Sequence, residues 1–241
     1  VLGSVYTGAT TVLMPRWDRE LAGRLISRYR VTHWTCIPTM IIDLFGSPNY
    51  RGFDLSSLVY LSGGGAAMPH AVAERLQQEF GLTFAEGYGL TETSPVLAAR
   101  AFDRQVLGTG GLPISGTEIR IVDEQGRDVP RGQKGVVLAR GAQVMVGYYR
   151  RPEETAKVLS PDGWFNTGDL GRFTIRGELS LTGRAKETIV LLGGENIEPS
   201  PIEDALKESP YLSQIMVVGQ DKKHLGALIV PLPAWLLDVG I

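Results

Sequence analysis

The chain has 241 residues, 43% of them hydrophobic, which is enough to bury a core and excludes a disordered composition. Lys and Arg number 24 against 26 Asp and Glu, a formal charge of −2. That balance argues against a general nucleic-acid or anionic-membrane binder, so any contact with phosphate should be local.

Residues 1 to 107 alternate short β-branched runs with helical patterns. TTVLM (10–14) predicts a strand, and Asp18 suits the cap of a helix in which Leu21, Leu25 and Tyr29 recur every four residues. VTHWTCI (31–37) predicts a second strand, with Pro38 and a short apolar helix (40–45) behind it. LVYLS (58–62) is a third, running into Gly63, Gly64 and Gly65. Pro69 then fits the first turn of a helix carrying Val72, Leu76 and Phe80. LTFAEGYG (82–89) closes the region as strand and loop. Strands alternating with helices predict an α/β domain with a mainly parallel sheet.

From 108 to 185 the pattern changes to short alternating runs: EIRIVD (118–123), GVVLAR (135–140), GRFTI (171–175) and ELSLTG (178–183). Glycine-rich turns separate them, and one helix is expected at 152–159. This predicts a small antiparallel, barrel-like β subdomain. From 186 to 241 there are eight acids, four lysines and no arginine. Here Ser200-Pro-Ile-Glu203 predicts a capping box opening the helix EDALKES, followed by strands QIMVVG (214–219) and ALIVP (227–231). The expectation is a third, smaller α+β domain that begins here and is unfinished.

Cys36 is the only cysteine, which excludes an intramolecular disulfide and multi-cysteine zinc patterns. His33, His70 and His224 are scattered, and no HExxH occurs. The longest apolar stretch, 225–241, is broken by Pro231, Pro233 and Asp238, and the N-terminus resembles no secretory signal. A soluble, cytoplasmic protein is expected. Opening on Val1 and closing on LIVPLPAWLLDVGI, both in apolar sequence, the chain is expected to be a piece of a longer one.

Five places carry candidate chemistry. The triple glycine at 63–65, between a strand and a helix, suits a phosphate or the flat face of a base, or makes only a turn. In Tyr88-Gly89-Leu90-Thr91-Glu92-Thr93 the ring can stack, the Thr91 hydroxyl can meet a phosphate oxygen and the Glu92 carboxylate can take Mg²⁺; a polar loop is the alternative. In GWFNTGD (163–169), Asp169 at the entry to a strand can accept from a vicinal diol, or cap its own turn. Arg184 and Lys186 lie where composition shifts, as a solvated turn or as a nucleotide contact beside a pivot. Gly193 and Gly194 follow the strand TIVLL.

Taken in order, GGGAAMP (63–69), EGYGLTETSP (86–95), GYYRRPEET (147–155), DGWFNTGDLG (162–171) and GRAKETIVLLGGENIEPSPIEDAL (183–206) resemble the motifs of the adenylate-forming, AMP-binding superfamily. The form of the last looks most like long-chain fatty acyl-CoA or acyl-carrier-protein synthetases. The resemblance implies that Gly64, Gly65 and Ala66 lie against adenine, with Tyr88, flanked by Gly87 and Gly89, on the other face. It implies Thr91 at the α-phosphate, Glu92 on Mg²⁺, and Asp169 with Arg184 at the ribose. Lys186 would be the hinge of a mobile C-terminal domain, and Gly193 would line the thiol channel. ATP or AMP, Mg²⁺ and coenzyme A as co-substrate are implied with them.

A fatty acid would then be converted to acyl-AMP and passed to the thiol. Its tail would run along 31–45 and 96–101. The alternatives are an acyl-carrier-protein synthetase, another acid-adenylating enzyme, or a non-catalytic nucleotide- or partner-binding module. Three family features have no counterpart here: the Ser/Thr/Gly-rich phosphate loop, an aromatic motif after it, and the C-terminal lysine, whose context Lys222 and Lys223 do not match. Losing one such electrostatic contributor typically costs ~3 kcal/mol at the transition state, so this polypeptide by itself is not expected to adenylate efficiently.

Overall fold

The computed structural model describes residues 2–65, 68–100, 109–207, 209 and 211–231. The chain forms two units, 1–85 and 86–241.

In the first unit, α1 (Leu2–Tyr6) precedes an irregular stretch over the TTVLM run, where a strand was expected and none forms. Leu13 there is 75% exposed, so its apolar side chains have no sheet to pack on. Helix α2 (Arg19–Tyr29) is capped as the sequence predicts: the Leu21 N–H donates to Asp18 Oδ1 at 2.7 Å. Its inward face, however, is Ala22, Gly23 and Ile26, while Leu21 and Tyr29 point to solvent. The spacing of four was correct and its phase was not. Small residues face inward because the Phe53 ring stands 2.2 Å from where a Cβ on Gly23 would sit.

Strand β1 (His33–Thr35), helix α3 (Pro38–Phe45), strand β2 (Tyr60–Gly63) and helix α4 (His70–Phe80) follow. β1 and β2 pair in parallel, His33 opposite Tyr60. The core joins Ile26, Ile41, Leu44, Leu61, Leu76 and Phe84.

Strand β3 (Phe84–Gly89) runs on into the second unit, where it pairs antiparallel with β4 (Val96–Ala99), and β4 with β5 (Leu112–Pro113). Next comes an antiparallel meander of β6 (Glu118–Val122), β7 (Gly135–Arg140), β8 (Phe165–Phe173) and β9 (Leu179–Arg184), with α5 (Pro152–Val158) inserted before β8. β7 alternates buried Gly135, Val137 and Ala139 with half-buried neighbours, as a strand packed on one face must. Val137 and Ala139 share a core with Tyr88, Leu97, Ala98, Ile121 and Leu179. Leu97 and Ala98 are wholly buried in it, so they cannot line the acyl tunnel assigned to 96–101; Ala101 lies outside the described residues.

Beyond β9 come a short hairpin of β10 (Ile189–Val190) and β11 (Asn196–Ile197), helix α6 (Pro199–Lys207), and a hairpin of β12 (Leu212–Val218) and β13 (Gly226–Pro231). The capping box expected at 200–203 does not form. α6 starts at Pro199, two residues before the expected first helical position, Pro199 and Pro201 occupy the first turn where no N–H is needed, and Glu203 Oε1 instead accepts the Val217 N–H of β12 at 2.8 Å. Mixed α/β architecture is thus confirmed, with a parallel pair in the first unit and antiparallel sheets in the second.

Candidate active site

Strand β3 carries Gly87, Tyr88 and Gly89 to the chain reversal before β4. A Cβ on Gly89 would sit 1.7 Å from the Pro95 carbonyl oxygen, so glycine is demanded by close backbone approach. Replacing Gly89 with Ala should therefore force the two strands apart; a loss of about 2 kcal/mol or more in urea unfolding is expected, and an unchanged midpoint would contradict the contact.

Within the reversal, a single 3₁₀ turn spans Thr91–Thr93. Thr93 is fully buried: its Oγ1 accepts the Leu90 N–H at 2.9 Å and donates to the Pro95 carbonyl at 2.6 Å. This fastening leaves Thr91 exposed and Glu92 half-exposed at the apex. Thr93 had no assigned role in the sequence reasoning; a hydroxyl directly after two candidate ligands gave no signal of its own.

Asp169 does not sit at the entry to a strand, as expected, but inside β8, opposite Arg184 of β9. It is 7% exposed. The Tyr88 hydroxyl donates to its Oδ2 at 2.6 Å, and Arg184 Nε lies 3.3 Å from Oδ1. The Arg184 side chain is 64% exposed, so the pair joins a buried carboxylate to a solvent-reaching cation. Sequence reasoning assigned Tyr88 its ring and missed its hydroxyl as the partner of Asp169. Eighty-one residues separate the two, so only folding joins them.

Burial, reinforced by the Asp169 carboxylate, pushes the Tyr88 phenol above its ordinary range, keeping it protonated as a donor. A raised folded-state value means this stabilisation is complete below the unfolded tyrosine pKa near 10 and is lost as pH rises beyond it. Thermal melts between about pH 9 and 11 should fall less steeply in Tyr88→Phe than in the wild type; parallel slopes would oppose this.

The remaining candidates are placed as follows. Gly64 and Gly65 lie in the first unit after β2, Gly65 at φ +85°. Ala66 lies outside the described residues. Lys186 is exposed in the turn after β9, where the Ala185 N–H donates to the Gly168 carbonyl at 2.9 Å. Gly193 is exposed in the turn between β10 and β11, closed by the Gly194 N–H donating to the Leu191 carbonyl at 2.8 Å. Past Lys186, Glu198 meets Lys134 of the meander at 2.7 Å, tying this segment to the sheet. In the first unit, a cavity of about 360 Å³ beside the start of α3 is lined by Trp17, Ile37, Thr39, Met40 and Asp43.

The structure thus brings together Tyr88, Asp169 and Arg184, with Thr91 and Glu92 at the end of the strand that carries Tyr88. Among the described residues no group of three or more His, Cys, Asp or Glu side chains gathers to hold a metal, and no helix is long and apolar enough to cross a membrane. A lone carboxylate suits Mg²⁺, which is commonly held by one or two carboxylates together with substrate phosphates.

The AMP-binding enzyme family matches residues 1–149, and the AMP-binding enzyme C-terminal domain matches 186–236. This chain is a member of the AMP-binding enzyme family. Among curated members, it is 46% identical over 182 residues to a chloroplastic long-chain-fatty-acid–[acyl-carrier-protein] ligase of Arabidopsis thaliana, covering 71% of this chain and 25% of that protein. It is 34% identical over 228 residues to a long-chain-fatty-acid–CoA ligase of Bacillus subtilis, covering 94% of this chain and 40% of the relative. Of solved AMP-binding structures, an anthranilate CoA ligase in complex with anthranoyl-AMP superposes with a TM-score of 0.85 at 26% identity, covering 94% of this chain and 45% of that one. The chain therefore spans between a quarter and half the length of these relatives.

Proposed function

We propose that this chain is the central part of an ATP-dependent acid–thiol ligase that activates long-chain fatty acids. The observation that carries the reading is the buried Tyr88–Asp169 pair with the solvent-reaching Arg184, Tyr88 standing on the strand that leads into the Thr91–Glu92 turn. It offers a carboxylate for a ribose diol, and a hydroxyl and a carboxylate for the phosphate end of one nucleotide. Relatives that bear fatty-acid ligase names support the acid, and the anthranoyl-AMP in a similar structure supports the intermediate.

In this reaction the acid's carboxylate oxygen attacks the α-phosphorus of ATP and the bond to pyrophosphate breaks, leaving acyl-AMP. A thiol sulfur then attacks the acyl carbon and AMP departs. Asp169 and Arg184 hold the ribose, Thr91 meets the α-phosphate, and Glu92 would hold Mg²⁺, which offsets phosphate charge. Lys186, exposed between the meander and the segment that follows, serves as pivot, and Gly193 lines the path of the thiol.

Coenzyme A is the thiol in this reading. A second reading, acyl carrier protein, is favoured by the higher identity to the Arabidopsis ligase, 46% against 34% for the Bacillus enzyme. The test supplies the complete gene product with ATP, Mg²⁺ and palmitate, then with coenzyme A or acyl carrier protein, alongside aryl acids. Pyrophosphate release with palmitate supports the proposal; release only with aryl acids reassigns the acid, and no release with any acid removes adenylation.

A further inference from the structure

The loop from Met145 into the GYYRRPEET motif is held against the Thr91–Glu92 turn by two hydrogen bonds to a single residue. The Met145 N–H donates to the Glu92 carbonyl at 2.8 Å, and the Tyr148 hydroxyl donates to Glu92 Oε1 at 2.9 Å. Backbone and side chain of the carboxylate are both fastened to one loop.

That loop is itself stiffened. The Tyr148 N–H donates to Thr155 Oγ1 at 2.9 Å, and Thr155 Oγ1 donates to the Arg151 carbonyl at 2.8 Å, so the start of α5 anchors the tyrosine. Gly147, at φ +148°, lets the backbone pass over Thr155, whose Cγ2 stands 2.9 Å from where a Cβ would be. Glycine, tyrosine and threonine at this spacing therefore build one bracket, and its free end is a phenol aimed at Glu92.

We propose that Tyr148 is a positioning residue that orients the Glu92 carboxylate for a divalent cation bound with the nucleotide. The inference rests on the assignment of Glu92 as the metal-holding carboxylate. By occupying Oε1, the phenol fixes the rotamer and leaves Oε2 for the cation. Hydrogen-bond partners that orient metal ligands commonly contribute about tenfold or more to metal affinity.

Mn²⁺ binding to the complete gene product, saturated with a non-hydrolysable ATP analogue and read by the loss of the free-ion paramagnetic resonance signal, tests this. Tyr148→Phe keeps the ring and removes only a part-exposed hydroxyl, so the fold is retained. Its Mn²⁺ affinity is expected to fall about tenfold while metal-free nucleotide affinity changes by less than about twofold. Glu92→Gln, measured in parallel, should lose Mn²⁺ affinity more severely. Wild-type Mn²⁺ affinity in Tyr148→Phe, with Glu92→Gln impaired, overturns the positioning role alone. Wild-type affinity in Glu92→Gln overturns the metal assignment and this inference with it. Equal loss of nucleotide and metal binding in Tyr148→Phe makes the tyrosine merely structural and also overturns the proposal.

Discussion

Asp169→Ala in the complete gene product is expected to weaken AMP binding by about 2–4 kcal/mol, roughly 30- to 700-fold in Kd. Each hydrogen bond to a charged group contributes about 1.5–3 kcal/mol, and a ribose diol offers two, part of whose strength water would replace. The same change leaves the Tyr88 hydroxyl, now bonded to Oδ2 at 2.6 Å in a 7%-exposed site, without its acceptor. An unsatisfied buried hydroxyl costs about 1–3 kcal/mol, so the melting temperature should fall as well.

Asp169→Asn separates the two effects. One carbonyl oxygen can still accept from Tyr88, so stability should recover more than nucleotide affinity does. Isothermal titration with AMP and thermal melting give the two readouts. Unchanged AMP affinity in Asp169→Ala would remove the ribose assignment, and with it the observation that carries the proposed function.

Glu86→Ala should destabilise the protein by about 3–5 kcal/mol, a large share of the 5–15 kcal/mol typical of a folded domain. Glu86 and Arg100 form an ion pair between β3 and the end of β4, and their side chains are 8% and 2% exposed. Arg100 Nε also donates to the Thr109 carbonyl at 2.8 Å. Among the described residues, its buried Nη1 has no hydrogen-bond partner. Removing the carboxylate strands a guanidinium in a site water barely reaches, and desolvation is then uncompensated.

Replacing both partners by apolar residues, Glu86→Leu with Arg100→Met, should cost much less than Glu86→Ala alone, because no charge is left buried. Urea unfolding of the three proteins decides this. A Glu86→Ala variant within about 1 kcal/mol of wild type would mean that the pair is solvated in solution.

Much of this chain is written locally. The Asp18 cap, the alternation of β7 and the turns between strands depend on neighbours a few residues apart, so side-chain chemistry and period two suffice to place them. The five glycine- and acid-bearing motifs likewise announce an AMP-binding enzyme by their order alone. What stayed hidden was every choice that needed a distant partner. TTVLM has the composition of a strand but stays irregular, with Leu13 exposed, and composition cannot supply a pairing partner. On α2 the apolar spacing was visible, yet the Phe53 ring decided which face turned inward. Glu203 looked like a capping residue until β12 presented an unpaired N–H to it.

The site divides in the same way. Sequence supplied the candidates for nucleotide chemistry, because hydroxyl, carboxylate and guanidinium groups are identifiable wherever they stand. Only the tertiary structure decided that the Tyr88 hydroxyl serves Asp169 and that Tyr148 serves Glu92, pairs separated by 81 and 56 residues. A hydrogen bond acts over about 3 Å, so a linear chain carries no trace of such a contact until strands and loops have packed.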